Sequence, residues 1–505
     1  MREITPERSG AARSGAAARA IALLAVMIAL AIGGYLRAAN IGGREMSADE
    51  GASWASAIAP TLGEVIRRQA MLNPGKLATH EIILHEWIGA FGDGLAAMRA
   101  LSALFGSAAI LIVYALAAEL MRMDGSAQIA ADQAGRVRES RRGVSVGIPP
   151  LAITKIAVFA ALLFAVSLIT IKYSREMRMY ALLMFVMLAQ VWMLLRAMRL
   201  GGAIDLALAA ILTALGVATH FTAVFVIATE GLWIVARFAG AWRRGDRIGM
   251  RAMWRTALAL GAGCAMLAPF ATAAIRSSAG ALRAGATSWI GRPQWWEPVA
   301  MFNKGIGTFA FPAVAAAAGW GAWRGWRIAP RAIGFALLCM WGPPLMMLAA
   351  SYAIAPVFIE RYALTSFVPF LILAAIGAAE IASRPMRAAA MGLLIALALG
   401  HVYTYNQNPH DAQWREAATI AAAAIAPGGR IAVAPPYAVN VVRYYLRGDQ
   451  THSEAAIPAD ARARGASIMI VAQGFRRFDI AGPHPSTGAP PLVRLRGIEV
   501  VRLRG

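Results

Sequence analysis

Apolar runs long enough to cross a hydrocarbon core of ~30 Å, each needing roughly 17–25 residues, recur from Ala20 to about Tyr403. Lipid cannot hydrogen-bond a backbone, so such runs read as helices, and we count about eleven of them. With 59% hydrophobic and 15% charged residues among 505, the chain is too apolar for a soluble fold of its size. The expected class is an α-helical polytopic membrane protein with an extended first outer loop and a small C-terminal α/β lobe.

The formal net charge of +22 does not point to nucleic acid, because the arginines lie in short loops between apolar runs instead of on one soluble face. Under the positive-inside rule, the loops carrying Arg136, Arg138, Arg141 and Arg142, then Arg237, Arg243 and Arg244, then Arg324, Arg327 and Arg331 are cytoplasmic. The basic tail 1–19 is then inside, 20–403 is the membrane domain, 39–94 is the first outer loop and 404–505 is an extracytoplasmic lobe. The first run ends in Tyr35-Leu36-Arg37 with no convincing cleavage site and reads as a retained helix. Cys264 and Cys339 fall in separate apolar runs and suit small core residues. In the lobe, Trp414–Ile425 has helical character and Arg430–Ala434, Ser467–Ala472 and Ile498–Leu503 have strand character; Pro483–Pro491 reads as a loop.

Once the arginines set the orientation, Asp49, Glu50, Lys76, Glu81, Arg175, Arg178, Tyr180, His220, Arg361 and Tyr362 all fall on the outer side. Ionisable groups at membrane depth are costly and face a cavity or a partner. Their mixed charge suits a phosphate-bearing ligand, with Arg and Lys on the phosphate oxygens and a carboxylate to take a proton from an attacking hydroxyl. Arg175 and Arg178, three apart, are expected on one helical face. The bland readings are a solvated loop or helix cap for Asp49-Glu50, headgroup anchoring for the arginines, and a wet amphipathic face for Glu81, His85 and Glu86.

Ser47-Ala48-Asp49-Glu50-Gly51-Ala52, then Phe91-Gly92-Asp93 with Arg99, Ser174-Arg175-Glu176-Met177-Arg178-Met179-Tyr180, Thr219-His220-Phe221-Thr222 and Glu360-Arg361-Tyr362 resemble, in order, the signatures of the type C glycosyltransferases. The closer likeness is to bacterial relatives of protein O-mannosyltransferases and aminoarabinose transferases. The resemblance implies a sugar taken from a polyprenyl-phosphate donor on the outer face of the cytoplasmic membrane and passed to a glycan, lipid or protein acceptor. It implies Asp49 as general base; Asp49 and Glu50 together are the candidate catalytic pair, with loop positioning as the blander role for Glu50, and Lys76, Arg175, Arg178, Tyr180, His220, Arg361 and Tyr362 are the candidate donor-phosphate or substrate contacts. Many relatives carry a His-Pro-Pro-like segment where this chain has Asn73-Pro74-Gly75-Lys76. The resemblance requires no cofactor, although some members hold a divalent metal ion, for which Glu81 and His220 are the candidate ligands here; two ligands do not define a site. The competing classes are a transporter or flippase of lipid-linked sugars, which should show related halves and broken helices near the midplane, and a non-catalytic polysaccharide-assembly subunit.

Overall fold

The computed structural model describes residues 6–73, 76–133, 149–270, 280, 290–408, 411–459, 466–472 and 491–503. Among these, seven helices are long and apolar enough to span a bilayer, or nine if each of two bent pairs is one span. The two remaining expected spans are Ala203–Thr219, an apolar helix of 17 residues, and the stretch from Ala257 to Ile275. The helix covering the start of that stretch is Arg247–Met266, opened by Arg247, Arg251 and Arg255; residues 271–275 lie outside the described residues, as does most of the expected Pro483–Pro491 loop.

The chain divides into two compact units. The first comprises Met1–Ala39, Ser102–Arg175 and Met179–Asn406. Its core is built on Tyr180–Leu200 and Phe367–Ala379, whose spans are 78% and 83% buried, whereas Ala20–Ala38 and Arg384–Gln407 are 22% and 17% buried and turn apolar side chains outward. Exposed apolar faces on such helices are what a lipid environment calls for.

The expected third span is broken rather than straight: Pro150–Val166 ends at Ser167 and Leu168–Ser174 continues at 58°. Arg37, fully buried, takes up Ala165 O beside the break. Its guanidinium donates to Ala165 O at 3.0 Å, Gly33 O at 2.9 Å, Thr170 Oγ1 at 3.1 Å and Ser174 Oγ at 3.2 Å. A second break, of 115°, separates Glu297–Ile306 from Phe311–Trp326, and Gly307 there has a φ of +100° that residues with a side chain rarely adopt.

Phe311–Trp326 crosses Phe367–Ala379 with backbones in contact, as small residues permit in membrane helices. A Cβ on Gly377 would lie 1.9 Å from Ala317 O, and one on Gly321 2.0 Å from Leu373 O.

The second unit comprises Asn40–Leu101, Glu176–Arg178 and Gln407–Gly505. The expected first loop is itself helical, folding as Ala48–Ala57, Leu62–Leu72 and Thr79–Phe91. In the lobe, β1 (Ile431–Ala434), β2 (Ala456–Pro458), β3 (Ile468–Ala472), β4 (Val493–Leu495) and β5 (Ile498–Arg502) form one sheet in the order β2-β1-β3-β5-β4. β1 runs parallel to β2 and β3, while β5 is antiparallel to β3 and β4. Helix Trp414–Ala424 packs on β3 and β5, and helix Val439–Leu446 packs on it and on Ala48–Ala57. The last contact requires Gly51, whose Cβ would lie 2.8 Å from Val441 Cγ2 and 3.0 Å from Val441 N.

Gly377→Ala forces the two crossing backbones apart and should cost about 1–3 kcal/mol, seen as a lower thermal unfolding midpoint in detergent. Gly392→Ala, where a Cβ meets nothing within 4 Å, is the control and should leave the midpoint in place.

Candidate active site

Ser47 begins helix Ala48–Ala57 with a capping box: its Oγ accepts from Glu50 N at 3.2 Å, and Glu50 Oε2 accepts from Ser47 N at 2.9 Å. That cap orients the two neighbouring carboxylates differently. Glu50 is 1% exposed, whereas Asp49 is exposed.

Glu50 is fully committed. Arg99 Nε donates to Oε1 and Nη2 to Oε2, each at 2.8 Å, and Met177 N donates to Oε1 at 2.9 Å. With the Ser47 amide, all four lone-pair positions of the carboxylate are taken. Arg99 is equally satisfied, its other N–H groups donating to Ile41 O, Arg44 O and Glu45 O at 2.9–3.0 Å. Burial pushes the Glu50 carboxyl up, but the charge and hydrogen bonds of Arg99 and the two amides outweigh it and hold it below the ordinary carboxylate range. Arg99 belongs to the Phe91-Gly92-Asp93 signature of the resemblance, but the sequence assigns it no role at the site. Its signal was a lone arginine near the start of an otherwise apolar run.

A second chain of contacts extends from the same helix. Arg178, 2% exposed, donates from Nη1 to Asp49 O at 2.7 Å and to Ser53 Oγ at 2.9 Å, and Ser53 Oγ donates to Glu81 Oε1 at 2.9 Å. His80 Nδ1 lies 3.3 Å from that same oxygen. Burial raises the Glu81 carboxyl, and His80, Arg178 and Ser53 together bring it below its usual range. Glu81 is thus buried rather than on a wet face, whereas Glu86 is exposed. The lobe completes the surroundings of the helix: Trp54 meets the edge of Tyr444 at 5.3 Å, Tyr445 OH accepts from Met46 N at 2.8 Å, and Arg447 pairs with Asp93 at 3.0 Å. Tyr437 senses the charge of Asp49.

Arg175 and Arg178 do not share a helical face, because helix Leu168–Ser174 ends before them and the next begins at Tyr180. Glu176–Arg178 belongs to the second unit, and Arg175, in the first, donates to Ala39 O at 2.8 Å and Asn406 Oδ1 at 3.2 Å. Lys76 is half-buried and its amide donates to Asn73 O at 3.2 Å; Pro74 and Gly75 lie outside the described residues.

In the first unit, Tyr180, His220, Arg361 and Tyr362 come together. The His220 ring lies 4.8 Å from Tyr362 and 6.1 Å from Tyr180, and Arg361 lies over Tyr180 at 5.8 Å. His220 Nδ1 is fixed by Thr222, whose Oγ1 is at 2.8 Å. Tyr180 and Tyr362 also line a cavity with Met187, Val226 and Thr365, and these last three line a second, almost wholly apolar cavity reaching Leu116, Phe335 and Pro343. Among the described residues there is no group of three or more His, Cys, Asp or Glu side chains arranged to hold a metal ion.

No family model and no curated protein matches this chain. Solved structures do. ArnT from Cupriavidus metallidurans in the apo state is similar at a TM-score of 0.53 and 13% identity, over 96% of this chain and 98% of that one. ArnT bound to undecaprenyl phosphate gives 0.55 and 11%, over 95% and 97%. The Archaeoglobus fulgidus oligosaccharyltransferase, tethered with an acceptor peptide containing the NVT sequon, gives 0.54 and 12%, over 89% and 69%. The chain shares the fold of these three structures, and its long apolar helices make it a multi-pass membrane protein.

Removing one partner of the buried Glu50–Arg99 pair leaves the other charge uncompensated, so Arg99→Ala should cost about 3–5 kcal/mol, with Glu50→Ala/Arg99→Ala costing less than the sum of the single changes. Because the folded Glu50 pKa lies below its unfolded value of ~4.3, its contribution is present above that value and is lost as pH falls through the folded one. Thermal unfolding followed across the acid range should show a weaker pH dependence for Glu50→Gln than for wild type.

Proposed function

We propose that the protein is a glycosyltransferase that moves a sugar from a polyprenyl-phosphate donor to an acceptor hydroxyl or amide on the outer side of the cytoplasmic membrane. The observation that carries this reading is the division of labour between adjacent carboxylates. Glu50 has no lone pair left for chemistry, while Asp49 is exposed on the first turn of a helix held in place from both ends.

In the proposed reaction Asp49 takes the proton of the acceptor as its oxygen or nitrogen attacks the anomeric carbon. The bond from that carbon to the phosphate oxygen breaks, and the prenyl phosphate leaves with the electron pair. Attack opposite the leaving group inverts the anomeric centre. Arg361, Tyr180, His220 and Tyr362, with Lys76 and Arg175, are assigned to the phosphate, where donors and positive charge stabilise the developing anion. The apolar cavity that shares Met187, Val226 and Thr365 with the one lined by Tyr180 and Tyr362 supports an apolar component in the donor. Arg178 is assigned to holding the Asp49 helix through Asp49 O and Ser53. The orientation follows from the arginine-rich loops, with the N-terminal tail inside and the α/β lobe outside.

Transfer from a panel of radiolabelled polyprenyl-phosphate sugars in proteoliposomes tests the proposal. Wild type should turn over one donor, and Asp49→Asn, with an unchanged unfolding midpoint, should lose roughly 10²-fold or more of that rate. Equal rates would remove Asp49 from the chemistry.

A further inference from the structure

Within the spans of the first unit, one carboxylate lies far from the polar network around Glu50 in sequence and has no role in the reaction proposed above. Glu230, in helix Ala223–Arg243, has none of its surface exposed. Its one hydrogen-bond partner among the described residues is Gln190, equally buried in helix Tyr180–Leu200, whose Nε2 donates to Oε2 at 3.1 Å. Glu230 Oε1 and Gln190 Oε1 are both buried, and among the described residues neither has a hydrogen-bond partner. The titratable groups that sense Glu230 are the thiols of Cys264 and Cys339, and among the described residues no cation pairs with it.

An ionised carboxylate in hydrocarbon with one hydrogen bond is strongly disfavoured. Two orphaned acceptors on facing groups have a single remedy that needs no third group. A proton on Glu230 Oε1 would turn it into a donor, and the unpartnered acceptor on the amide already bonded to Oε2 is Gln190 Oε1. A carboxylic acid and a primary amide then meet donor to acceptor twice, and each oxygen and the nitrogen of the pair has a partner.

The two helices joined in this way both start at the aromatic cluster. Tyr180 is the first residue of one, and the other begins just after His220 and Thr222. Gln190 lies about three turns along its helix and Glu230 about two turns along its own, at 3.6 residues per turn. An axial slip of either helix would strand four polar atoms among apolar side chains, so the pair sets the register at which Tyr180 meets His220. We propose that Glu230 is carried as the neutral acid, closed against Gln190 in a two-bond acid–amide pair, and that this pair is a positioning device for the Tyr180–His220–Tyr362 cluster. The second half rests on the assignment of that cluster to the donor; the first does not.

Infrared difference spectra of wild type minus Glu230→Gln, in reconstituted membranes at neutral pH, test the protonation. The expected result is a carboxylic-acid carbonyl band that shifts in D2O, and carboxylate bands in its place would overturn it. Kinetics test the positioning. Glu230→Gln can form the same closed pair with Gln190 and should keep KM for the polyprenyl-phosphate donor within about twofold, whereas Glu230→Ala should raise it roughly tenfold. Equal impairment of both variants would overturn the closed pair, and a wild-type KM in Glu230→Ala would overturn the positioning role. Absence of turnover by wild type with every donor would count against the glycosyltransferase reading and the positioning role together, while the infrared result would still decide the protonation.

Discussion

The arrangement of the second unit depends on one buried ion pair. Glu50 and Arg99 lie in different helices, and neither would be tolerated in its surroundings alone. Together they are saturated: Glu50 accepts from Arg99 and from two backbone amides, and Arg99 also gathers the carbonyls of Ile41, Arg44 and Glu45. One contact thereby fixes the turn before helix Ala48–Ala57, the cap of that helix and the segment at Met177.

That fixation gives the Asp49-Glu50 pair its meaning. Two carboxylates in adjacent positions have the same intrinsic chemistry, and their environments separate them. Saturation removes Glu50 from acid–base work, and the helix it anchors presents Asp49 outward. Ser53, one turn on, relays the constraint to Arg178 and Glu81, so the first loop, the Glu176–Arg178 segment and the lobe share one polar framework. In the membrane unit, Arg37 plays a comparable part at the break after Val166, and Glu230 with Gln190 ties the helices that begin at Tyr180 and after His220.

Much of this was legible beforehand, and the boundary is physical. Long apolar runs announce helices because length and composition are properties of a single segment. The lobe's β1, β3 and β5 were likewise visible as local runs, whereas β2 and β4, of three residues each, depend on neighbours to exist as strands. The breaks at Ser167 and Gly307 leave no mark in the apolar runs, because hydropathy reports the polarity of a run and is blind to its direction. The face shared by Arg175 and Arg178 was expected from helical periodicity, and it fails because the helix stops at Ser174. Arg99 went unassigned because its partner is remote in sequence and its chemistry appears only when paired.

The sequence by itself determined that this is a polytopic helical membrane protein with a small α/β lobe, and it supplied an ordered set of motifs that match a known fold. Those conclusions need only local composition, spacing and the cost of placing charge in lipid. Which carboxylate is locked and which is exposed, which arginines are structural, and how a buried glutamate meets a glutamine were decided by tertiary structure. Each is a question of which remote group satisfies a polar atom once water is gone, and only the folded chain holds both partners.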